Sequence, residues 1–321
     1  MASRESVLVA GAGALGSVIG GLLARAGNPV TLLGRPAHMA AIRARGLRIE
    51  GLFGEHHVAD LACATDVREL AGAYDTVLLT VKAWDTATMA AAVAPHLADD
   101  GLLVCLQNGL GNIERAAAAV GAARVLGGRV IFGAALPEPG TVRVTVFADP
   151  VLVGSPDSTD RRRVEAATRL ARRLEAAGVP ARPTDTIVAD LWGKVLYNAA
   201  LNPLGALLGL PYGALPEDAD TRAVMDAVID EAFAVAAACG VTLPWPDAGA
   251  YRATFYGRLV PSTAAHRSSM LQDLERGRPT EIDAINGHVV ARGAALGVPT
   301  PVNATLARLI RARARLGATE E

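Results

Sequence analysis

The feature that most constrains this chain is Gly11-Ala12-Gly13-Ala14-Leu15-Gly16. It is a G-x-G-x-x-G set between a short apolar run, Ser6 to Ala10, and an apolar helical stretch that lasts to Ala26. A second β-like run, Pro29 to Leu33, follows. Strand, Gly-rich turn, helix and strand together read as one βαβ unit. In such a unit each glycine has its own task. The first allows the tight turn, the second lets backbone approach a pyrophosphate, and the third lets the helix pack on the strand. The helix N-terminus then faces the phosphates. Outside this context the same six residues would be only a Gly-rich turn in an unrelated α/β protein.

The end of the second strand bears on which dinucleotide is bound. NAD sites usually place an Asp or Glu there for the ribose 2′-hydroxyl. Here the sequence runs Leu32-Leu33-Gly34-Arg35, with an Arg and no acid. A carboxylate would repel a 2′-phosphate, whereas a guanidinium grips it through two hydrogen bonds. The expected cofactor is therefore NADP(H), although a solvated surface Arg is the plain alternative for Arg35.

Further along, Thr76 to Val81 and Leu102 to Leu106 read as strands, with a helix from Thr86 to Leu97 between them. Leu47 to Ile49 and the stretch after Glu55 are weaker candidates. Val125 to Ala135, Thr141 to Phe147 and Val151 to Gly154 are β-rich, and Asp160 to Ala177 is an amphipathic, Arg-laced helix. Apolar strands alternating with helices imply a parallel, doubly wound sheet. The character changes near Pro183-Thr184-Asp185. Beyond it the chain is nearly all helix-like, with breaks expected at Pro203, Leu210 to Pro216, Pro244 to Pro246 and Gly277 to Pro279. The expectation is α/β with a Rossmann-type domain over 1–184 and an all-helical domain over 185–321. The substrate is expected in a cleft between the two.

Bulk properties exclude several classes. A net charge of -1 without charge blocks is unlike a nucleic-acid-binding surface. No apolar run is long enough to span a bilayer, and the N-terminus has no signal-like apolar region before Gly11. Cys63, Cys105 and Cys239 are odd in number and far apart, as expected of buried thiols in a cytoplasmic protein. His56 and His57 are adjacent and would point to opposite faces of a strand, so no metal site is expected from them.

In the second half, Lys194, Asn198 and Asn202 recur at i, i+4 and i+8 in Trp192-Gly193-Lys194-Val195-Leu196-Tyr197-Asn198-Ala199-Ala200-Leu201-Asn202-Pro203. A helix puts all three on one face. Two amides and a Lys on an otherwise apolar helix are costly unless paired or used. Alternatively the face is half-exposed, with Lys194 reaching water. A second segment, Ser268-Ser269-Met270-Leu271-Gln272-Asp273 to Thr280-Glu281-Ile282-Asp283, is plain when read singly. Asp273 and Arg276 could be a surface pair, and Glu281 could favour a helix N-terminus.

Taken together these segments resemble the ketopantoate reductase (2-dehydropantoate 2-reductase) family over most of the chain. The resemblance rests on Gly11 to Gly16, Thr80-Val81-Lys82-Ala83-Trp84, Gln107-Asn108-Gly109-Leu110-Gly111, the Lys-x-x-x-Asn-x-x-x-Asn-Pro helix, and Ser-Ser-Met-Leu-Gln-Asp followed by Thr-Glu-Ile-Asp. It implies that Lys194 is catalytic and that Asn198, Asn202 and Ser269 bind substrate. It implies that Asn108 lies between cofactor and substrate, and that Glu281 serves near the nicotinamide and a substrate hydroxyl. Arg35, Lys82 and, through its backbone, Ala134 match cofactor contacts. Some members carry further Asn residues after the Asn-Pro, where this chain has Gly209 and Tyr212.

The residue types suit that chemistry. Hydride arriving at a ketone carbon drives charge onto oxygen, which an ammonium can hydrogen-bond and protonate. The expected reaction is NADPH-dependent reduction of a small 2-keto acid, ketopantoate to pantoate in pantothenate synthesis. Another 2-keto acid or an opine-type product stays open, as does a non-catalytic NADP(H) sensor, although Lys194 and Glu281 have no task in a sensor. No nucleic-acid or membrane partner is expected. The helical second half is compatible with a homodimer.

Overall fold

A computed structural model describes residues 5–317. The described residues form two compact units, one of residues 5–108 and 112–187, the other of 109–111 and 188–317.

In the first unit the strands are β1 (Val7–Ala10), β2 (Val30–Leu33), β3 (Leu47–Gly51), β4 (His56–Val58), β5 (Ala62–Ala64), β6 (Tyr74–Leu79), β7 (Leu97–Cys105), β8 (Val125–Glu138), β9 (Thr141–Gly154) and β10 (Ala181–Thr184). The helices are α1 (Ala14–Arg25), α2 (Pro36–Arg45), α3 (Thr86–Val93), α4 (Asn112–Val120) and α5 (Arg161–Ala176). Among the described residues the strands make one sheet in the order β4-β3-β9-β8-β7-β6-β1-β2-β5, with β10 also on β9. From β1 the chain moves outward to β2, then returns to place β6 on the other side. The strands β7, β6, β1 and β2 are mutually parallel.

Both faces of the central strands are covered, which is why β1 and β2 are buried and nearly continuously apolar. Val7 and Val9 of β1 join a cluster with Val18 and Leu22 of α1 and Leu170 of α5. Leu8 and Ala10 join the opposite cluster, with Ala90 and Val93 of α3 and Ala116 of α4. The doubly wound reading holds, with a correction. The sheet is mixed, because β8 and β9 pair antiparallel as one long hairpin and β3 pairs antiparallel with β4. The runs 141–147 and 151–154 are halves of the single strand β9. Pro150 between them reads as a stop, but it lies where the ladder to β8 is already irregular, and a strand tolerates proline there.

The second unit is helical. Its elements are α6 (Ile187–Leu208), α7 (Ala219–Ala238), α8 (Ala248–Thr254), a π-helical turn (Phe255–Leu259), α9 (Val260–Ser262), α10 (Ser269–Glu275), α11 (Asn286–Leu296) and α12 (Pro301–Gly317). The break expected at Pro203 does not occur, since α6 continues through it to Leu208. Residues 109–111 are part of this unit's packing. The Leu110 N–H donates to Ala284 O at 2.8 Å. Gly109 has φ +84, and a Cβ there would stand 2.4 Å from Ala284 O. No helix among the described residues is long and apolar enough to cross a membrane.

Candidate active site

Within the first unit, most of the expected cofactor residues stand at the C-terminal ends of adjacent parallel strands. The ladders pair Ala10 with Leu33 and Leu79, and Leu79 with Cys105. Gly11, Arg35, Lys82 and Asn108 follow these four strand ends. They bracket the point where strand order reverses, the usual ligand crevice of an open α/β sheet.

The Gly-rich turn is tightly made. Gly11 and Ala12 both donate their N–H to Leu33 O, at 3.0 and 2.8 Å, and Gly13 N–H donates to Gly11 O. Gly11 has φ +105, and a Cβ there would stand 2.5 Å from Val81 N. A Cβ on Gly16 would stand 2.5 Å from Thr80 Oγ1 and 2.9 Å from Val9 Cγ1. Gly13 is different, since a Cβ there would meet nothing nearer than Gly11 O at 3.9 Å. The helix that follows, α1, has no side-chain cap and no acid in its first turn. A helix N-terminus left uncapped beside open space fits a bound pyrophosphate. Leu15 and Ala134 pack on one core cluster on the same face of the sheet.

Arg35 is exposed and forms the N-cap position of α2, so its backbone leads a helix while its side chain reaches solvent. Three residues on, buried His38 ties this corner together. The Gly140 N–H donates to its Nδ1 at 2.9 Å, so its Nε2 donates to Ser17 Oγ of α1 at 3.0 Å. Burial, and then the charge of Arg35, hold this imidazole below its ordinary pKa. Lys82 is half-buried, with Nζ 5.8 Å from the centre of the Trp84 ring.

Asn108 is held through its backbone. Asn112 Nδ2 donates to Asn108 O at 3.0 Å, Thr86 Oγ1 donates to Asn112 Oδ1 at 3.0 Å, and Gln107 Nε2 donates to Thr86 Oγ1 at 3.0 Å. This buried chain was not legible beforehand, and neither was the part of Thr80. Thr80 Oγ1 donates to Gly11 O at 2.9 Å and so braces the turn from the end of β6. A Thr opening the Thr-Val-Lys-Ala-Trp segment was the available signal.

In the second unit, Lys194, Asn198 and Asn202 lie on α6 at successive turns. Lys194 is half-buried, while Asn198 and Asn202 are 8% and 4% exposed. The Asn198 side chain makes no hydrogen bond to another protein group among the described residues, which leaves its amide available to a ligand. Asn202 is oriented, because the Tyr212 hydroxyl donates to its Oδ1. Burial first, then neighbouring Tyr197, push the Tyr212 hydroxyl far above its ordinary pKa, which keeps it a donor. The Nδ2 of Asn202 is left to serve an acceptor.

Two loops reach this helix. Ser268 caps α10, accepting from Leu271 N–H, and its Oγ meets Asn202 O at 3.4 Å. Ser269 is the next residue, exposed at the start of α10. Glu281 is buried and precedes a single 3₁₀ turn, Ile282–Ala284, rather than directly leading a helix. The helix after that turn begins at Asn286, whose Nδ2 donates to Ala199 O on α6 at 3.1 Å. The starts of α10 and α11 are thus both tied to the Ala199 to Asn202 stretch. No group of three or more His, Cys, Asp or Glu among the described residues is placed to hold a metal ion.

Comparison with known proteins covers both units. The family described as Ketopantoate reductase PanE/ApbA matches residues 7–158, and its C-terminal counterpart matches residues 186–314. A 2-dehydropantoate 2-reductase of Aquifex aeolicus is 37% identical, over 95% of this chain and 96% of its own. One of Archaeoglobus fulgidus is 36% identical, over 96% and 97%. A crystal structure of a PanE/ApbA family ketopantoate reductase from Ralstonia eutropha aligns with a TM-score of 0.86 at 37% identity, covering 97% of this chain and 99% of that one. D-Mandelate dehydrogenase in a ternary structure with NADH and anilino(oxo)acetate aligns with a TM-score of 0.87 at 28% identity, covering 97% and 99%.

Proposed function

Since this chain belongs to the ketopantoate reductase family, we propose that it reduces ketopantoate to pantoate with NADPH, as a step of pantothenate synthesis. It is an oxidoreductase acting on CH–OH groups, and its relatives by name reduce a 2-keto acid. The observation that carries the finer reading is the α6 face. One cationic and two amide side chains stand in line there, and the middle amide is buried without a protein partner.

The dinucleotide, when bound, supplies the hydride. The uncapped start of α1 and the space at Gly13 suit its pyrophosphate, and Arg35 suits a 2′-phosphate. Lys82, Asn108 and the backbone of Ala134 complete the proposed cofactor contacts. Lys194 hydrogen-bonds the keto oxygen and gives it a proton as charge develops there. Asn198, Asn202 and Ser269 hold the substrate, with the Asn202 Nδ2 donor directed to a carboxylate. Glu281 accepts from a substrate hydroxyl and keeps Lys194 in place.

D-Mandelate dehydrogenase, with NADH, favours a second reading, an aromatic or other 2-keto acid as substrate and NADH as cofactor. The deciding experiment is oxidation of NADPH and of NADH by the purified protein, with ketopantoate beside a panel of aliphatic and aromatic 2-keto acids. The proposal requires the highest kcat/KM for NADPH with ketopantoate. A higher value for an aromatic keto acid, or for NADH, replaces it with the second reading.

A further inference from the structure

Pro203 stands four residues after Ala199 on α6. Proline has no N–H, so the Ala199 carbonyl loses its helical donor, and the ring crowds that same carbonyl. Ala199 is fully buried, so its carbonyl needs another partner. Asn286 supplies it, donating from Nδ2 to Ala199 O at 3.1 Å. The same Nδ2 donates to Asn303 Oδ1 at 3.0 Å. Asn303 then donates to Val228 O at 3.2 Å and to Glu231 Oε2 at 2.8 Å. Glu231 also accepts from the Val302 and Asn303 N–H groups, at 2.8 and 2.9 Å. One unbroken polar chain therefore runs from the proline turn of α6 through α11 and α12 to α7. Asn286 and Asn303 are fully buried. The Asn286 Oδ1 has no partner among the described residues, so the side chain is held by its donors alone.

We infer that Asn286 is a positioning residue for the reaction, its amide replacing the N–H that Pro203 lacks and fixing how Asn202 is aimed relative to Lys194 and Asn198. The inference rests on the use proposed above for those three residues. Ala199 lies between Asn198 and Asn202, and Pro203 directly follows Asn202. An unanchored carbonyl at this point releases the one turn on which the alignment of the three side chains depends. The restraint comes from the two bonds that the Asn286 amide donates, to Ala199 O and to Asn303 Oδ1, which tie this turn of α6 to α12. A misplacement of about 1 Å costs on the order of 100-fold in rate when a reacting group is involved.

The test is a double-mutant cycle of Asn286→Ala and Pro203→Ala, with each protein checked for folding and for NADPH binding. Asn286→Ala is expected to lose about 10–100-fold in single-turnover hydride transfer. Its NADPH affinity should change less than about twofold, because the Gly11 to Gly16 turn and Arg35 belong to the other unit. Pro203→Ala restores an N–H four residues after Ala199. The double variant is therefore expected to recover most of the lost rate, returning close to Pro203→Ala alone. A merely structural Asn286 would show no such rescue. Wild-type rates in Asn286→Ala, or a double variant as slow as Asn286→Ala, overturn the inference. So does failure of both Asn286→Ala proteins to fold. A double variant that folds where Asn286→Ala alone does not supports it. If the wild type turns over no 2-keto acid, the functional reading fails separately. The Asn286 and Pro203 coupling is then read from urea midpoints, where strict additivity overturns the anchoring role.

Discussion

The three glycines of the turn make different demands, and alanine at each separates folding from cofactor binding. At Gly11, alanine must adopt φ +105, and its methyl would stand 2.5 Å from Val81 N and 2.9 Å from the Thr80 carbonyl carbon. The left-handed backbone costs about 1–2 kcal/mol. Overlap with backbone atoms, which cannot swing aside, adds about 1–3 kcal/mol. Gly11→Ala should therefore lower stability by about 2–5 kcal/mol. At Gly13 neither cost applies. Its φ is -87, ordinary for any residue, and the methyl meets nothing nearer than 3.9 Å. Gly13→Ala should be neutral or stabilising by about 0.4–1 kcal/mol through the unfolded chain. Yet the methyl fills the space beside the α1 N-terminus. Losing one charge-assisted hydrogen bond to the pyrophosphate costs about 1.5–3 kcal/mol, or about 10–100-fold in affinity. Urea denaturation without cofactor measures the first effect, and NADPH titration followed by fluorescence measures the second. A folded Gly13→Ala protein that binds NADPH like the wild type refutes the placement of the pyrophosphate. A Gly11→Ala protein of wild-type stability refutes the account of the turn.

Other outcomes follow from the same geometry. Arg35→Ala should weaken NADPH by about 1.5–3 kcal/mol and leave NADH nearly unchanged, and equal losses for both would remove Arg35 from the 2′-phosphate. Lys194→Ala should lose on the order of 10²–10⁴ in kcat with NADPH binding retained, and a rate within about threefold of wild type would place the acid elsewhere. Glu281→Ala should impair the same step, and the two losses should combine less than additively in the double variant. His38 is held below its ordinary value of 6.5, so the folded protein binds fewer protons there than the unfolded chain. Its contribution is complete above pH 6.5 and declines as pH falls below that, which His38→Gln should abolish in stability measured against pH.

What the sequence disclosed, and what it withheld, divides along physical lines. The Gly-rich turn was legible because its glycine spacing between a strand and a helix is itself a local signal, although the backbone that crowds Gly11, at Thr80 and Val81, lies far along the chain. The α6 face was legible because helical spacing alone brings Lys194, Asn198 and Asn202 together. Pro203 misled because local propensity says that proline ends a helix, while the compensating Asn286 lies 83 positions away. α2 and β5 went unread because both are short and weakly patterned, and they are held by the packing of Met39 and Ile42 and by pairing with β2. The antiparallel turn of β8 onto β9 likewise follows from Pro139-Gly140, a two-residue signal that apolar alternation does not reveal. The bracing of Gly11 by Thr80 and of Asn202 by Tyr212 needed coordinates, since each joins segments that no periodicity relates.

Residues 109–111 pack with Ala284 although the chain on either side of them belongs to the first unit. This has a consequence for biosynthesis. A nascent chain emerges at about 5–20 residues per second, so roughly 10–35 s separate Leu110 from the residue that accepts its N–H. Through that interval the β7 to α4 connection leaves the ribosome with its seat not yet made. Gly109, whose left-handed φ lets the backbone pass close against Ala284, must wait for the C-terminal third of the chain. An excised fragment covering 1–187 would keep this vacancy permanently, so limited proteolysis near residue 187 should release a piece whose weakest backbone amides lie at 109–111.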